Sequence, residues 1–271
     1  MEGKSPKVWP YSPNNSPLPL PVQGVLFTPD RVIELNEFHG EERLDELSGE
    51  ALTTYTSGFA SNGQSLDAML ASAGAEPLSE RRPLLLQGEL ANPYRLQEMG
   101  FGVLPILPVR LEGLCRTWSD GLDSRDTYPG VHHVTLARTS GWWEPTHLGL
   151  VTTAQLRAVR DWLDNGVSST WKAVRLGEGC VRFEHDTSLE PPQAHDVEWD
   201  GTKEHVATTM PSPTGPAISQ SDLIVMVHTR QGCYNNRGRL ARCAHIQQRP
   251  FHDNLFRRGS SFRWDQILTT R

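Results

Sequence analysis

Three arginines, Arg110, Arg116 and Arg175, fall in strand-like segments and carry the planar fork that grips a carboxylate through two hydrogen bonds. The competing reading is an ordinary surface strand arginine. His132 and His133 are adjacent in a strand, where neighbouring side chains point to opposite faces, so they cannot share one ligand. Cys233, Cys243, His245 and His252 offer metal donors, but the spacing C-x9-C-x-H-x6-H matches none of the common zinc patterns. No metal and no cofactor are therefore expected. Gly88 closes an apolar run, and it reads either as a strand-exit turn or as a place where backbone can approach a ligand closely. Asp164 stands before Asn165-Gly166, the pattern of a helix C-terminus. The chain has no Gly-x-Ser-x-Gly turn, phosphate loop or dinucleotide fingerprint, so serine-hydrolase, nucleotide-triphosphatase and dinucleotide-dehydrogenase chemistry lack support.

Several elements have to position these residues. Pro83-Leu84-Leu85-Leu86 reads as a short buried strand, and Asn92-Pro93 as the cap and first turn of a helix running to about Glu98. Residues 103–118 read as a strand, with Pro105, Pro108 and Gly113 forcing bulges or an edge position. Residues 131–138 and 147–151 are further strands. Thr152 or Thr153 then caps a helix through Leu163, whose Leu156, Val159 and Leu163 share one face. Residues 171–176 and 180–183 are expected to pair as a hairpin around Gly177-Glu178-Gly179. Upstream, 22–27 and 31–35 are strand candidates, 41–47 a short charged helix, and 64–73 a better helix.

The chain has 271 residues, 37% of them hydrophobic, which is enough for a sizeable core and excludes disorder throughout. No apolar run approaches the roughly 18 residues of a membrane helix, and the N-terminus lacks the pattern of a signal peptide. Four widely spaced cysteines do not suggest a disulfide framework. A soluble cytoplasmic protein is expected, without a membrane partner. The net charge of −6 conceals an asymmetry. Residues 222–271 hold nine arginines against Asp222, Asp253 and Asp265, while the rest of the chain is acidic. Such a tail either docks on its own body or meets an anionic partner. The interleaved Phe251, Leu255, Phe256, Phe262, Trp264, Ile267 and Leu268 favour docking over nucleic acid. Proline marks the boundaries: six fall in a 1–21 lead-in expected to be disordered, and five in a 188–221 linker. Between them lie an N-terminal α/β extension (22–82) and a Trp-rich block (83–187), with the basic segment (222–271) last.

Over residues 83–185, the order of elements and several short motifs resemble the gamma-glutamylcyclotransferase-like superfamily. Its members open with an apolar strand, a Tyr-Gly-Ser-Asn loop and a helix often starting Asn/Ser-Pro; here the stretch is Leu84 to Leu96, with Gly88 at the loop glycine. Leu111-Glu112-Gly113-Leu114-Cys115-Arg116-Thr117-Trp118-Ser119 stands for the family's next strand. Gln155-Leu156 stands in the later helix, and Trp171 to Leu176 in the aromatic-plus-Arg strand. The resemblance implies an α+β fold, a small mixed β-barrel with flanking helices and a cavity at its mouth. It also implies intramolecular aminolysis, in which the α-amine of a γ-glutamyl compound attacks the γ-carbonyl and 5-oxoproline forms. Ring closure benefits from proximity, leaving the protein to fold the substrate, move the amine proton and stabilise the oxyanion.

The sequence departs from the family at the loop, where Gln87 replaces the tyrosine and Glu89 the serine. The register from Gln155-Leu156 puts the family's catalytic glutamate at or next to Leu163. Proton handling then falls to neighbouring Asp164 or to Glu89, with Asp161 a turn away as the weaker candidate. The expected substrate-binding set is Gln87, Gly88, Leu90, Arg110 and Arg116. The first expectation is an acyl-transfer enzyme acting on a small γ-glutamyl-like amine or amide. The rivals are a non-catalytic binding protein of the same fold and, third, a nucleic-acid or phospho-ligand binder acting through the tail.

Overall fold

A computed structural model describes residues 3–126, 130–167, 170–229, 232–236, 239–255, 260–263 and 268–270. The chain opens with a short hairpin, β1 (Val25–Phe27) and β2 (Val32–Glu34). A separate three-stranded sheet follows: β3 (Glu37–Phe38), β4 (Phe59–Ser61) and β5 (Gln64–Ser65). Helix α1 (Gly49–Ser57) lies between β3 and β4, and α2 (Leu66–Ser72) follows β5. Next come β6 (Arg82–Leu86), α3 (Pro93–Glu98), β7 (Leu104–Leu122), β8 (His132–Val151) and α4 (Thr153–Asp164). They are followed by β9 (Trp171–Val174), β10 (Cys180–Phe183), β11 (Val197–Trp199), β12 (Glu204–Val206) and β13 (Ile224–His228). The chain ends with β14 (Gly232–Asn236), β15 (Arg239–Leu240), α5 (Gln248–Leu255) and β16 (Ser260–Arg263).

The architecture is α+β, with a large mixed sheet ordered β15-β14-β7-β8-β6-β13-β9 and β1 and β10 also on β7. The run at 84–86 is uniformly apolar because both faces of β6 are covered. Leu84 and Leu86 pack with Ile106, Ile224 and Met226 on one face, and Leu85 packs with Leu107 and Val225 on the other. The first face is closed by α3 and α4 through Leu96, Val159, Trp162 and Leu163. The second is closed by α1 and α2 through Leu52, Tyr55, Met69 and Leu70.

Local sequence explains the element ends near the site. Asn92 accepts a hydrogen bond from the Arg95 amide at 3.0 Å and sets the start of α3, with Pro93 supplying the preset φ. Thr152 and Gln155 form a reciprocal capping box on α4. Gly113, at φ +75°, makes the β7 bulge expected of it. Across that bulge the pairing jumps from Glu112↔Trp143 to Leu114↔Arg138. Of the β8 residues released by the jump, Ser140 pairs with His205 of β12, while Thr139 and Trp142 are buried.

Several expectations are corrected. The sheet does not close into a barrel: residues 171–183 form no hairpin, because β9 pairs with β13 and β10 with β7. Residues 41–47 are not helical; Leu47 instead bridges Ile218 beside α1, an element the sequence reading missed. The lead-in is packed rather than disordered: Trp9 is buried, Lys4 bridges Val32, and the Asn92 carboxamide donates to Pro19 O at 2.8 Å. The 188–221 stretch also belongs to the body, burying Leu189, Val197, Val206, Ala217 and Ile218 and carrying β11 and β12.

The basic segment docks on its own body. Cys233 pairs with Ser119 of β7, and the Phe251 ring stacks on Trp118 with centroids 6.2 Å apart. Arg242 is buried against Glu204 at 2.7 Å, and Leu268 is buried. The Leu255 and Phe262 side chains, and residues Phe256, Trp264 and Ile267, lie outside the described set. Among the described residues no helix is long and apolar enough to cross a membrane.

Candidate functional site

β6 and β13 run parallel and end side by side, and the chain leaving β6 turns across this edge as Gln87-Gly88-Glu89. The Gln87 carboxamide donates to the Met226 carbonyl of β13 at 2.6 Å, which ties the loop to the sheet edge. Behind the loop lies a cavity of about 50 Å³. Its walls come from this loop, from Asp123 and Arg125 after β7, from His133 on β8, and from Trp171 and Met226. Ser16 of the lead-in closes one side.

The electrostatics centre on Glu89. Its buried carboxylate takes Arg95 Nε at 2.7 Å on one oxygen. The other takes Arg125 Nη2 at 2.6 Å and the Trp162 indole at 3.2 Å. Burial pushes the Glu89 carboxyl up, and the guanidiniums of Arg125 and Arg95 oppose it. Asp123 receives the Arg125 amide at 2.9 Å and its Nε at 2.8 Å. Burial acts upward on Asp123 too, but Arg125's hydrogen bond and charge outweigh it and hold the carboxyl below its usual range. Arg95 reaches Asp126 at 2.5 Å and lies 4.3 Å over the Tyr11 ring, so the lead-in is fastened to the same network. Burial, then Glu89, pushes the Tyr11 phenol up and keeps it neutral.

Two buried polar atoms of cavity-lining side chains are left without partners: Gln87 Oε1, an acceptor, and Arg125 Nη1, a cationic donor. His133 lines the same cavity, edge-on to Trp171 and stacked on His228. Burial first, and despite Asp123, lowers its pKa to about 4, so the imidazole is neutral near pH 7. The cavity thus offers a fixed positive donor, an amide acceptor and a neutral imidazole beside a glycine backbone. Ligand atoms of Glu89, Asp123 and Asp126 lie within 4.8 Å of one another, close enough to hold a cation. Arg95 and Arg125 already supply the counter-charge, in ion pairs of 2.5–2.7 Å. The cluster is satisfied by the chain's own guanidiniums.

Of the residues expected at a site, Gln87, Gly88, Glu89 and Leu90 line this cavity, and so does Leu163. Asp164 does not. One of its oxygens accepts from the Thr170 hydroxyl at 2.5 Å and from the Thr170 and Trp171 amides at 3.0 and 2.9 Å. These bonds hold its carboxyl low against the upward effect of burial, making a poor base that closes the turn after α4. Asp161 is exposed beside it on an open groove. Arg110 is also corrected as a substrate ligand. It is a buried β7 residue whose Nε and Nη2 lie 2.7 and 2.6 Å from Glu184, while Nη1 donates to Pro211 O and Nη2 also to Ser212 O. Arg116 likewise serves Pro145 O, and its backbone amide donates to buried Glu144 at 2.5 Å. Arg175 lines a different groove.

The two histidines divide as strand alternation requires. His132 bonds Ser119 O and His252, each at 3.0 Å, while His133 packs on Trp171 and His228. His245 bonds Pro192 O at 2.8 Å, and among the described residues no Cys/His cluster has cation-holding spacing. Asp123, Arg125, Trp171, Met226 and Ser16 were missed as site residues. The run Asp123-Ser124-Arg125-Asp126, a dense charge cluster between two long strands, was the available signal.

Compared with known proteins, the chain matches no family model, no curated protein and no solved structure.

Proposed function

We propose that the chain binds a small γ-glutamyl-like amine or amide at Gly88, on an α+β scaffold that resembles the gamma-glutamylcyclotransferase-like kind but keeps its sheet open, and holds it without turnover. The observation that carries this reading is the pair of unpartnered buried atoms, Arg125 Nη1 and Gln87 Oε1, on side chains that line one cavity. Leaving such groups unsatisfied costs about 1–3 kcal/mol each. A ligand carboxylate on Arg125 and a ligand N–H on Gln87 would recover that cost. The lack of turnover is supported by Leu163, a hydrocarbon at or next to the position where the resemblance implies a glutamate. Glu89 is spent on two arginines and Asp164 on a turn. At about 50 Å³ the cavity accommodates one or two waters as it stands, so an amino-acid-sized ligand has to displace part of its wall.

A second reading, intramolecular aminolysis, has one side chain to draw on: the neutral imidazole of His133 on the cavity wall, a weak base whose pKa of about 4 counts against it. Incubation with γ-glutamyl amides, followed for 5-oxoproline, separates the two. Saturable binding with no product above the uncatalysed rate is expected. Product that forms with the wild type and disappears in His133→Gln would establish the second reading instead.

A further inference from the structure

A second groove, of about 740 Å³, opens on the α1 side of the sheet. Its walls are the start of α1, the segment from Leu78 to Pro83, and the ends of β6 and β9. β13 pairs with both strands, in the registers Ile224↔Leu84 and Val225↔Val174. Arg82, at the start of β6, and Arg175, just past β9, are therefore brought to the same end of the sheet. Both line the groove, and neither guanidinium has a hydrogen-bond or ion-pair partner among the described residues. Burial, then the charge of Arg82, lowers the Arg175 pKa, so the two guanidiniums repel each other.

The neighbouring charges relieve this repulsion only in part. Asp222 attracts Arg175 but forms no ion pair with either arginine; its Oδ2 accepts from the Gly49 amide at 2.8 Å, at the start of α1. Arg81, on the inner wall, spends most of its donors on Glu76 O, Val103 O, Leu150 O and Gln155 Oε1. Its Nη2 is buried with no hydrogen-bond partner, 3.8 Å from the Glu76 carboxylate. Glu50 is the other acidic residue of the lining.

We propose that this groove binds the phosphoryl group of a small phosphomonoester. Arg82 and Arg175 grip the dianion from two strands, and the ester's apolar body lies against Leu78 and Pro83. One guanidinium matches a carboxylate, whereas two unpaired ones beside a buried third match a doubly charged oxyanion. The volume lies within the ordinary range for small-molecule sites. This site is separate from the Gly88 cavity and does not depend on what that cavity binds.

The test is a thermal-shift and calorimetric titration of the full chain with inorganic phosphate and with phenyl phosphate, at constant ionic strength set with chloride. Saturable stabilisation is expected, tighter for phenyl phosphate, with affinity falling at least tenfold in Arg82→Gln/Arg175→Gln. Both side chains lie on a groove and hold no structural partner, so the variant should fold as the wild type does. Arg157→Gln, in another groove, should bind normally. A response matched by acetate or chloride, one retained by the double variant, or one lost in Arg157→Gln would overturn the assignment.

Discussion

Replacing Glu89 with alanine is expected to destabilise the chain by about 3–5 kcal/mol, the usual result of removing one member of a buried charge cluster. The loss comes chiefly from what is left behind. Arg95 and Arg125 would keep their buried positions, held by Asp126 and Asp123, while losing the carboxylate that both contact at 2.6–2.7 Å. Trp162, which lies 4.9 Å below the Arg125 guanidinium and donates to Glu89, would lose its indole partner as well. Equilibrium denaturation in urea measures the effect. Glu89→Gln should lie between the wild type and the alanine variant, because it preserves the shape and some hydrogen bonds but not the charge. A cost below about 1 kcal/mol for the alanine variant would mean that the two guanidiniums regain water easily and are not held in a dry charge cluster.

The second large effect is on pH dependence. His133 and His147 are both depressed by burial to about 4 from an ordinary value of 6.5. Over that window the unfolded chain binds more protons than the folded one, so stability present above pH 6.5 is lost as the pH falls toward 4. Each histidine accounts for roughly 3 kcal/mol of the loss at full effect. In His147 the cause is visible: Nε2 donates to Pro21 O at 2.7 Å, while Nδ1 is buried with no partner to receive a new proton's hydrogen bond. The buried carboxyls of Glu89 and Glu144 are shifted upward and contribute with the opposite sign. The His147 share is therefore read from the difference between wild type and His147→Gln. The variant's stability should fall less steeply between pH 6.5 and 4. Parallel curves for the two proteins would contradict the burial argument.

The parts of the fold legible in the sequence were those set by local chemistry. Asn92-Pro93 and Thr152 with Gln155 announced α3 and α4, and the caps form as those residues dictate. The apolar run before Gly88 was readable as a buried strand, and Gly113 as a bulge. What failed was long-range. Residues 171–176 and 180–183 look like a hairpin because a glycine turn separates two short β-prone runs, yet their partners lie far off in sequence, on β13 and β7. Proline count misread the lead-in and the 188–221 stretch, since prolines that suit extended loops also suit segments packed on a body. At the site, Gly88 and Glu89 were identifiable from the strand-to-helix turn. The role of Glu89 was not, because it depends on Arg95 and on Arg125, whose approach is fixed by the pairing of two strands about twenty residues long.

Gln87 Oε1 and Arg125 Nη1 are the unsatisfied atoms behind Gly88 that the proposed ligand would occupy. The most direct test of that occupancy is a calorimetric titration of the full chain with a γ-glutamyl amide, in wild type and in Gln87→Met. Saturable binding to the wild type is predicted, at least tenfold weaker in the variant, with both proteins equally folded by circular dichroism. No heat of binding to the wild type, or equal affinity in the two proteins, would contradict it.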